Sequence, residues 1–233
     1  MIRLLVSIRG VDELDAAIEG GADLIDLKEP LHGSLGASDP ATWPAVLRAV
    51  AGRLPTSVAV GELEDPATLS RAAMTSGFDY AKVGLANMMP HANWRQRWES
   101  AVRQMPSSVQ PVVVVYADHA ACGCPTPREV VAAGRELSSK VLLIDTFHKQ
   151  GQSVVDYLAD TSLNAAIELA RELSMFIVVG GSLTSESIPQ LRSWKPDFVA
   201  VRGAVCEQSR SGNVNRELVR ALANRLAALD SAD

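Results

Sequence analysis

Aromatic side chains make up only 5% of this 233-residue chain, too few for the stacking surfaces that bind single-stranded nucleic acid. Basic residues do not predominate, since 22 lysines and arginines face 27 aspartates and glutamates and the net charge is -5. An acidic surface repels phosphate backbones, so an anion must be captured locally by Lys, Arg or backbone N–H groups. The composition therefore excludes nucleic acid as a partner and predicts a local cationic pocket.

Long apolar runs and paired cysteines are also absent. No run reaches membrane-spanning length, and the apolar part of the N-terminal MIRLLVSIRGVDELD is too short for a signal peptide. The three cysteines, Cys122, Cys124 and Cys206, have no disulfide-framework spacing. Cys122 and Cys124 lie near His119, but a fourth zinc ligand is missing. We expect a cytoplasmic protein with free thiols, no membrane contact and no bound metal.

Short aliphatic and β-branched runs are abundant, and they alternate with segments of helical period rich in Ala, Leu, Glu and Arg. This alternation predicts repeated βα units. Pairs of a capping residue and proline at Asp39, Asp65 and Thr126 indicate helix starts. The predicted strands are IRLLVS from Ile2, ADLIDLK from Ala22, SVAVG from Ser57, DYAKVG from Asp79, PVVVVYAD from Pro111, KVLLIDT from Lys140, MFIVVGG from Met175 and DFVAVRG from Asp197.

Eight right-handed βα steps in so short a chain favour closure into a barrel, whose usual length is about 250 residues. An open doubly wound sheet would usually carry a glycine-rich turn after its first strand, and none is present here. No linker or charge block divides the chain. We predict an α/β protein with a single (β/α)8 TIM-barrel domain over residues 1–233.

Ionisable residues recur at the predicted carboxyl ends of the strands, where the active site of such a barrel lies. Asp26 and Lys28 are two residues apart, so they share one face of their strand. Unpaired burial of such charges costs about several kcal/mol, so their recurrence indicates a purpose, either a structural ring of ion pairs or catalysis. The predicted cluster consists of Asp26, Lys28, Lys82, Asp145 and Lys149.

Three lysines beside two carboxylates favour the catalytic interpretation. Neighbouring ammonium groups lower one another's pKa, and a lysine that is neutral near pH 7 attacks carbonyl carbons to form a Schiff base. Asp26 and Asp145 would then carry protons to and from the adduct. The cluster predicts an enzyme that makes or breaks carbon–carbon bonds.

Glycines follow the last two predicted strands, where such barrels often bind phosphate. The alternative interpretation is a pair of tight turns. The glycine-rich loop of residues 29–37 is predicted to cover the substrate, and its Ser34 is a further anion contact. The predicted phosphate-binding residues are Gly180, Gly181, Ser182, Arg202, Gly203 and Ser34.

Six blocks of the sequence resemble, in the same order, those of the (5-formylfuran-3-yl)methyl phosphate synthase family. They are IDLKEPLHGSLGA, DYAKVGL, VVVYAD, LIDTFHKQG, VGGSL and VAVRGAVC. The resemblance implies a carbon–oxygen lyase in a (β/α)8 fold. Its reaction condenses two molecules of glyceraldehyde 3-phosphate, with loss of phosphate and water, to a furan aldehyde phosphate for methanofuran-type cofactors.

The resemblance also assigns residues. It implies that Lys28 is the Schiff-base lysine, that the other four charged positions are essential, and that neither a metal nor an organic cofactor takes part. Two substrate phosphates need two anion sites, and we expect the second at either the Ser34 loop or Lys82. One departure is Glu62, where the family pattern has aspartate after glycine.

Two other functions stay open: another Schiff-base aldolase acting on a phosphorylated sugar, and a non-catalytic barrel that binds phosphorylated metabolites. Small barrels often associate, so we expect a homo-oligomer. Trp94 and Trp98, four residues apart in a predicted helix, form a candidate association face.

Overall fold

The fold was analysed in a computed structural model, which describes residues 1–149 and 151–230. Eight parallel strands pair in chain order and close into a barrel, with β1 hydrogen-bonded to β8. The strands are β1 (Arg3–Ile8), β2 (Leu24–Leu27), β3 (Thr56–Glu62), β4 (Tyr80–Gly84), β5 (Gln110–Tyr116), β6 (Val141–Asp145), β7 (Phe176–Val179) and β8 (Phe198–Val201). The predicted (β/α)8 barrel is thus confirmed, with every predicted strand present.

Helices surround the barrel, as expected of βα repeats. They are α1 (Leu14–Gly20), α2 (Trp43–Val50), α3 (Thr68–Ala73), α4 (Trp94–Gln104), α5 (Pro127–Glu136), α6 (Thr161–Glu172) and α7 (Arg216–Asp230). Between β7 and β8 the connection is a 3₁₀ helix, Ile188–Trp194. Pro189 is the second residue of this short segment and Pro196 follows two residues after its end, and proline supplies no backbone N–H for an α-helical ladder.

Helix starts follow the predicted capping residues. Thr126 and Glu129 form a capping box at the start of α5, and the Asp39 carboxylate accepts a hydrogen bond from Ala41 N. Asp65 accepts one from Ala67 N at 2.9 Å just before α3. These short polar side chains satisfy N–H groups that helix geometry leaves without partners.

The strands are apolar on both faces because one face packs inside the barrel and the other under the helices. Trp94 and Trp98 stack at 6.3 Å between ring centroids on the inner face of α4, and they are 5% and 1% exposed. The idea that they form an exposed association face is therefore wrong, because both rings are covered by the barrel of their own chain.

The three thiol groups of the chain lie inside the fold. Cys122, Cys124 and Cys206 are buried and free. Among the described residues, no three His, Cys, Asp or Glu side chains gather in a way that could hold a metal ion. No helix in the described ranges has the length and apolar character needed to cross a membrane.

The ring of helices closes where α1 meets α7, and Gly20 makes that contact possible. A Cβ at Gly20 would lie 2.5 Å from Val219 Cβ and 3.0 Å from Arg216 O. Both are fixed positions on α7, so neither can rotate away. The absence of a side chain therefore sets how closely the last helix approaches the first.

We predict that Gly20→Ala lowers the free energy of unfolding by about 1–3 kcal/mol, the usual cost of overpacking, although alanine favours helix. Urea denaturation followed by circular dichroism measures the change. Gly10→Ala is the matched control, because a Cβ there meets nothing within 4 Å. Equal stability of the two variants would contradict the proposed contact.

Candidate active site

A cavity of about 530 Å³ opens at the carboxyl ends of the strands and continues down the barrel axis. Its walls are mostly aliphatic, and its upper layer is polar. The five ionisable residues expected there all line it, namely Asp26, Lys28, Lys82, Asp145 and Lys149. The barrel thus brings together residues from β2, β4 and β6 and from the loops after β2 and β6, although they are widely separated in sequence.

Asp26 lies at the centre of a hydrogen-bonded group that the sheet register assembles. Ser7 on β1 and Ser57 on β3 are the register partners of Asp26 on either side. Ser7 Oγ donates to its Oδ2 at 2.9 Å and Ser57 Oγ to its Oδ1 at 2.6 Å. Lys82 Nζ also forms an ion pair with Oδ1, and both residues are buried. Asp26 is therefore fully partnered and fixed.

Asp145 carries the second carboxylate. Lys149 Nζ lies 2.5 Å from its Oδ1, and Thr146 N donates to the same oxygen at 2.8 Å. Ser34 Oγ reaches Oδ2 at 3.0 Å and Thr146 O at 2.9 Å, so its hydroxyl hydrogen is shared between two protein acceptors. Ser34 is only 1% exposed. The structure thus places Ser34 as a hydrogen-bond partner of Asp145.

Lys28 differs from the other two lysines because neither carboxylate pairs with it directly. Within the described residues no side chain or carbonyl takes a hydrogen bond from its Nζ, and only charges at longer range act on it. Burial is the main cause that lowers the pKa of Lys28 to about 8, and the ammonium groups of Lys149 and Lys82 lower it further. The carboxylates of Asp145 and Asp26 act in the opposite direction. Crowding of lysines is thus the smaller cause of the shift.

The two aspartates stay ionised beside these lysines. Burial alone would raise the pKa of Asp26, but the charges of Lys82 and Lys28 and hydrogen bonds outweigh it and leave the pKa below its ordinary value. For Asp145 the same opposition between burial and the charges of Lys149 and Lys28 also ends in a lowered pKa. Both carboxylates are therefore available as proton acceptors at neutral pH.

The predicted phosphate loops lie at one side of this cavity. Gly180, Gly181, Ser182 and Gly203 all line it. Gly181 has φ +101°, and a Cβ there would lie 2.9 Å from Val154 Cβ, so glycine is required on both counts. In the described structure, no residue accepts a hydrogen bond from the N–H of Ser182 or of Gly203. These groups are free to meet an anion.

Arg202 lines the same cavity but is committed elsewhere. Its guanidinium makes a bidentate ion pair with Glu13, at 2.8 and 3.0 Å, and both side chains are buried. Its remaining donors reach the carbonyls of Ser7, Arg210 and Gly212. Every N–H group of the Arg202 guanidinium therefore has a protein acceptor, and none is left for the phosphate contact predicted from sequence.

The loop between β2 and α2 covers one side of the mouth, and it is tied down. Glu29 N donates to Gly36 O at 2.8 Å, and Leu35 lines the cavity. A Cβ at Gly36 would overlap the Glu29 carbonyl oxygen. The segment predicted to cover the substrate thus lies over the site as an anchored loop.

Several residues of the site were missed from sequence. Ser7 and Ser57 follow the same inward parity as their strand neighbours, so the pleat could have indicated them. Glu13 and Arg210 lie in loops or at helix starts, where no periodicity points to them. Arg210 lines the cavity beside Gly203.

The geometry defines a (β/α)8 enzyme-type site in which an unpaired, partly deprotonated lysine lies among ion-paired lysines and carboxylates. Comparison with known proteins identifies the family. The 4-HFC-P synthase family model matches residues 4–223. The chain belongs to this family of (5-formylfuran-3-yl)methyl phosphate synthases.

Individual relatives agree with this assignment. The (5-formylfuran-3-yl)methyl phosphate synthase of Methanopyrus kandleri is 34% identical over 234 residues, which cover 97% of this chain and 99% of the relative. The same-named protein of Methanocaldococcus jannaschii is 34% identical over 228 residues, covering 94% and 97% of the two chains.

Solved structures resemble this chain in fold, although their sequences differ widely from its sequence. The 3-hexulose-6-phosphate synthase of Salmonella typhimurium superimposes with a TM-score of 0.66 at 16% identity, covering 96% of this chain and 99% of that one. A putative dihydrodipicolinate synthetase from Pseudomonas aeruginosa gives a TM-score of 0.67 at 15% identity, covering 100% and 78%. These likenesses support the barrel fold alone.

We predict that Arg202→Met lowers the free energy of unfolding by about 3–5 kcal/mol, because it leaves the buried Glu13 carboxylate without a counter-charge. Arg103→Met is the control, since it breaks an exposed pair with Glu99 that is worth about 0–1 kcal/mol. Urea denaturation of both variants checks the difference. Similar losses would show that the Arg202 pair is not structural.

Lys28 should lose its proton at a lower pH than an ordinary lysine does. Because burial disfavours the ammonium form, the reaction of Lys28 with a trace amine-acylating reagent should reach half its maximum near pH 8. Asp145→Asn should move the midpoint lower, since the carboxylate stabilises the ammonium. Peptide mass spectrometry follows the modified site, and Lys28→Met identifies the peptide that carries it. Free Nα-acetyl-lysine, which keeps its ε-amine, serves to correct for the pH dependence of the reagent itself. A midpoint near 10.5, the ordinary lysine value, would contradict the predicted effect of burial.

Proposed function

We propose that this protein condenses two molecules of glyceraldehyde 3-phosphate to (5-formylfuran-3-yl)methyl phosphate, a precursor of methanofuran-type cofactors. Atoms balance when one phosphate and two water molecules leave. Membership of the family supports the product, whose name the relatives carry. The observation that carries the mechanism is the unpaired Lys28 amine in the cavity, with its pKa lowered to about 8.

The proposed chemistry begins at Lys28. At pH 7 about a tenth of an amine with this pKa is neutral, which is several hundred times the fraction of an ordinary lysine. The neutral nitrogen attacks the aldehyde carbon of one triose phosphate, and the carbonyl oxygen leaves as water. The resulting iminium draws electrons from the neighbouring carbon, so that carbon gives up its proton and becomes the nucleophile toward the second aldehyde.

The surrounding residues fit distinct roles. Asp145 and Lys149, joined at 2.5 Å, form a pair that can accept a proton on one side and return one on the other. Asp26 is held by three donors, so we propose that it keeps the local charge fixed and orients Lys28. Lys82 is paired with Asp26 and adjusts the charge around Lys28.

One substrate phosphate would bind at the loops after β7 and β8. The free N–H groups of Ser182 and Gly203, together with the close approach that Gly180 and Gly181 allow, suit a phosphate oxygen. We propose this as the first of the two phosphate sites that two triose phosphates require.

Incubation of the protein with glyceraldehyde 3-phosphate tests the reaction. We expect a furan chromophore and one free phosphate for each furan formed, followed by absorbance and a phosphate assay. A reversible aldol product without phosphate release would instead show a Schiff-base aldolase. Absence of any covalent adduct after borohydride treatment would indicate a barrel that only binds phosphorylated metabolites.

Lys28→Arg keeps the positive charge but removes the nucleophile. We predict that turnover falls by more than about a thousandfold, as when a nucleophile is removed from other enzymes, and that borohydride no longer traps substrate. Lys140→Arg is the control, because Lys140 is exposed just before β6 at the opposite end of the barrel. Retained turnover in Lys28→Arg would refute the imine mechanism.

A further inference from the structure

Two arginines lie at the mouth of the cavity, and they differ in how many of their N–H groups are already hydrogen-bonded to the protein. Arg202 directs all its N–H groups to protein acceptors, including both oxygens of Glu13. Among the described residues, the Arg210 guanidinium makes one hydrogen bond, from Nη2 to Gly33 O at 3.2 Å. Within the described ranges no carboxylate forms an ion pair with Arg210, although its guanidinium lines the cavity. One arginine is therefore fully occupied and the other is available to a ligand.

The loop that carries Arg210, residues 207–213, is built to hold its backbone in place. An antiparallel bridge between Cys206 and Val214 closes the base of the loop. Arg202 Nε donates to Arg210 O at 2.6 Å, and its Nη2 donates to Gly212 O at 2.9 Å. The buried Arg202 thus binds two carbonyl groups of the loop, which fixes the backbone from which the Arg210 side chain extends.

The surroundings of Arg210 leave its charge undercompensated. The guanidinium is half-buried, and burial and the charge of Arg202 lower the pKa of Arg210, while the carboxylates of Asp145 and Glu29 at longer range oppose this effect. An arginine nevertheless stays protonated under ordinary conditions. Its remaining N–H groups, in a partly desolvated position facing a cavity, are suited to a bidentate contact with an oxyanion.

The backbone of Arg210 lies beside Gly203 of the first phosphate site, where a Cβ at Gly203 would be 3.6 Å from Arg210 Cβ, but the Arg210 side chain reaches across to another loop. Its side chain extends from the loop after β8 to Gly33 in the loop after β2, on the Lys28 side of the mouth. The free N–H group of Ser182 lies after β7. Ser34, the residue expected from sequence to make the other anion contact, is occupied by Asp145 and Thr146.

We propose that Arg210 binds the phosphate monoester of the second triose phosphate, and that Arg202 is a positioning residue that acts through the loop. This assignment rests on the proposed function for the identity of the ligand. A phosphate bound there would bridge the loops after β8 and β2 and close the mouth over Lys28. The same contact would select phosphorylated over unphosphorylated aldehydes.

The test is a direct binding measurement with glycerol 3-phosphate, which has no carbonyl and cannot react. Isothermal titration calorimetry of the wild-type protein should give two equivalents. In Arg210→Met the first equivalent should remain, and the second should weaken by about 10- to 100-fold, the usual effect of losing charge-assisted hydrogen bonds. Arg135→Met removes one exposed positive charge from α5 and should keep both equivalents.

Other outcomes would overturn the assignment. Two unweakened equivalents in Arg210→Met, an equal loss in Arg135→Met, or a single equivalent in the wild-type protein would each do so. Because the probe is unreactive, the result does not depend on furan synthesis. A protein that makes no furan but loses its second equivalent in Arg210→Met would refute the proposed function and leave the anion site standing.

Discussion

An unequal number of buried charges governs this site, because three lysines face only two aspartates inside an aliphatic barrel. Asp26 forms an ion pair with Lys82 and Asp145 one with Lys149, so Lys28 is left without a partner. Placing its charge there is costly, and the protein reduces that cost by releasing the proton more readily. The lowered pKa of Lys28 thus depends on which partners the other four groups take as much as on Lys28 itself.

The barrel holds each ion-paired lysine beside its own aspartate. Ser7 and Ser57 hold Asp26 from the strands on either side, and the parallel register places both hydroxyls level with the carboxylate. A shift of one residue would turn these side chains to the outer face. The sheet therefore does more than present the site, since its hydrogen-bond ladder decides which lysine each carboxylate can reach.

Much of this arrangement could be predicted from sequence, and the reason is periodicity. Alternating strands and helices indicated the barrel, and the shared parity of Asp26 and Lys28 indicated the charged mouth. Arg202 was placed correctly at the end of β8, but its partner Glu13 is 189 residues away and no local pattern links the two. Arg210 lies in an irregular loop, whose path depends on that long-range pair, so its approach to the cavity could not be predicted.

Glu62 is a further carboxyl group near the strand ends, and hydrogen bonds hold it apart from the charged cluster around Lys28. Its Oε1 accepts a hydrogen bond from Tyr116 at 2.5 Å, and its Oε2 accepts one from Ala86 N at 3.0 Å. Burial raises the pKa of Glu62, and the charge of Asp145 adds to the effect. A third free carboxylate in the cluster would stabilise the Lys28 ammonium and raise its pKa. Because Tyr116 and Ala86 engage both oxygens of Glu62, and Glu62 does not line the cavity, this carboxyl group is not among the charges that act most strongly on Lys28.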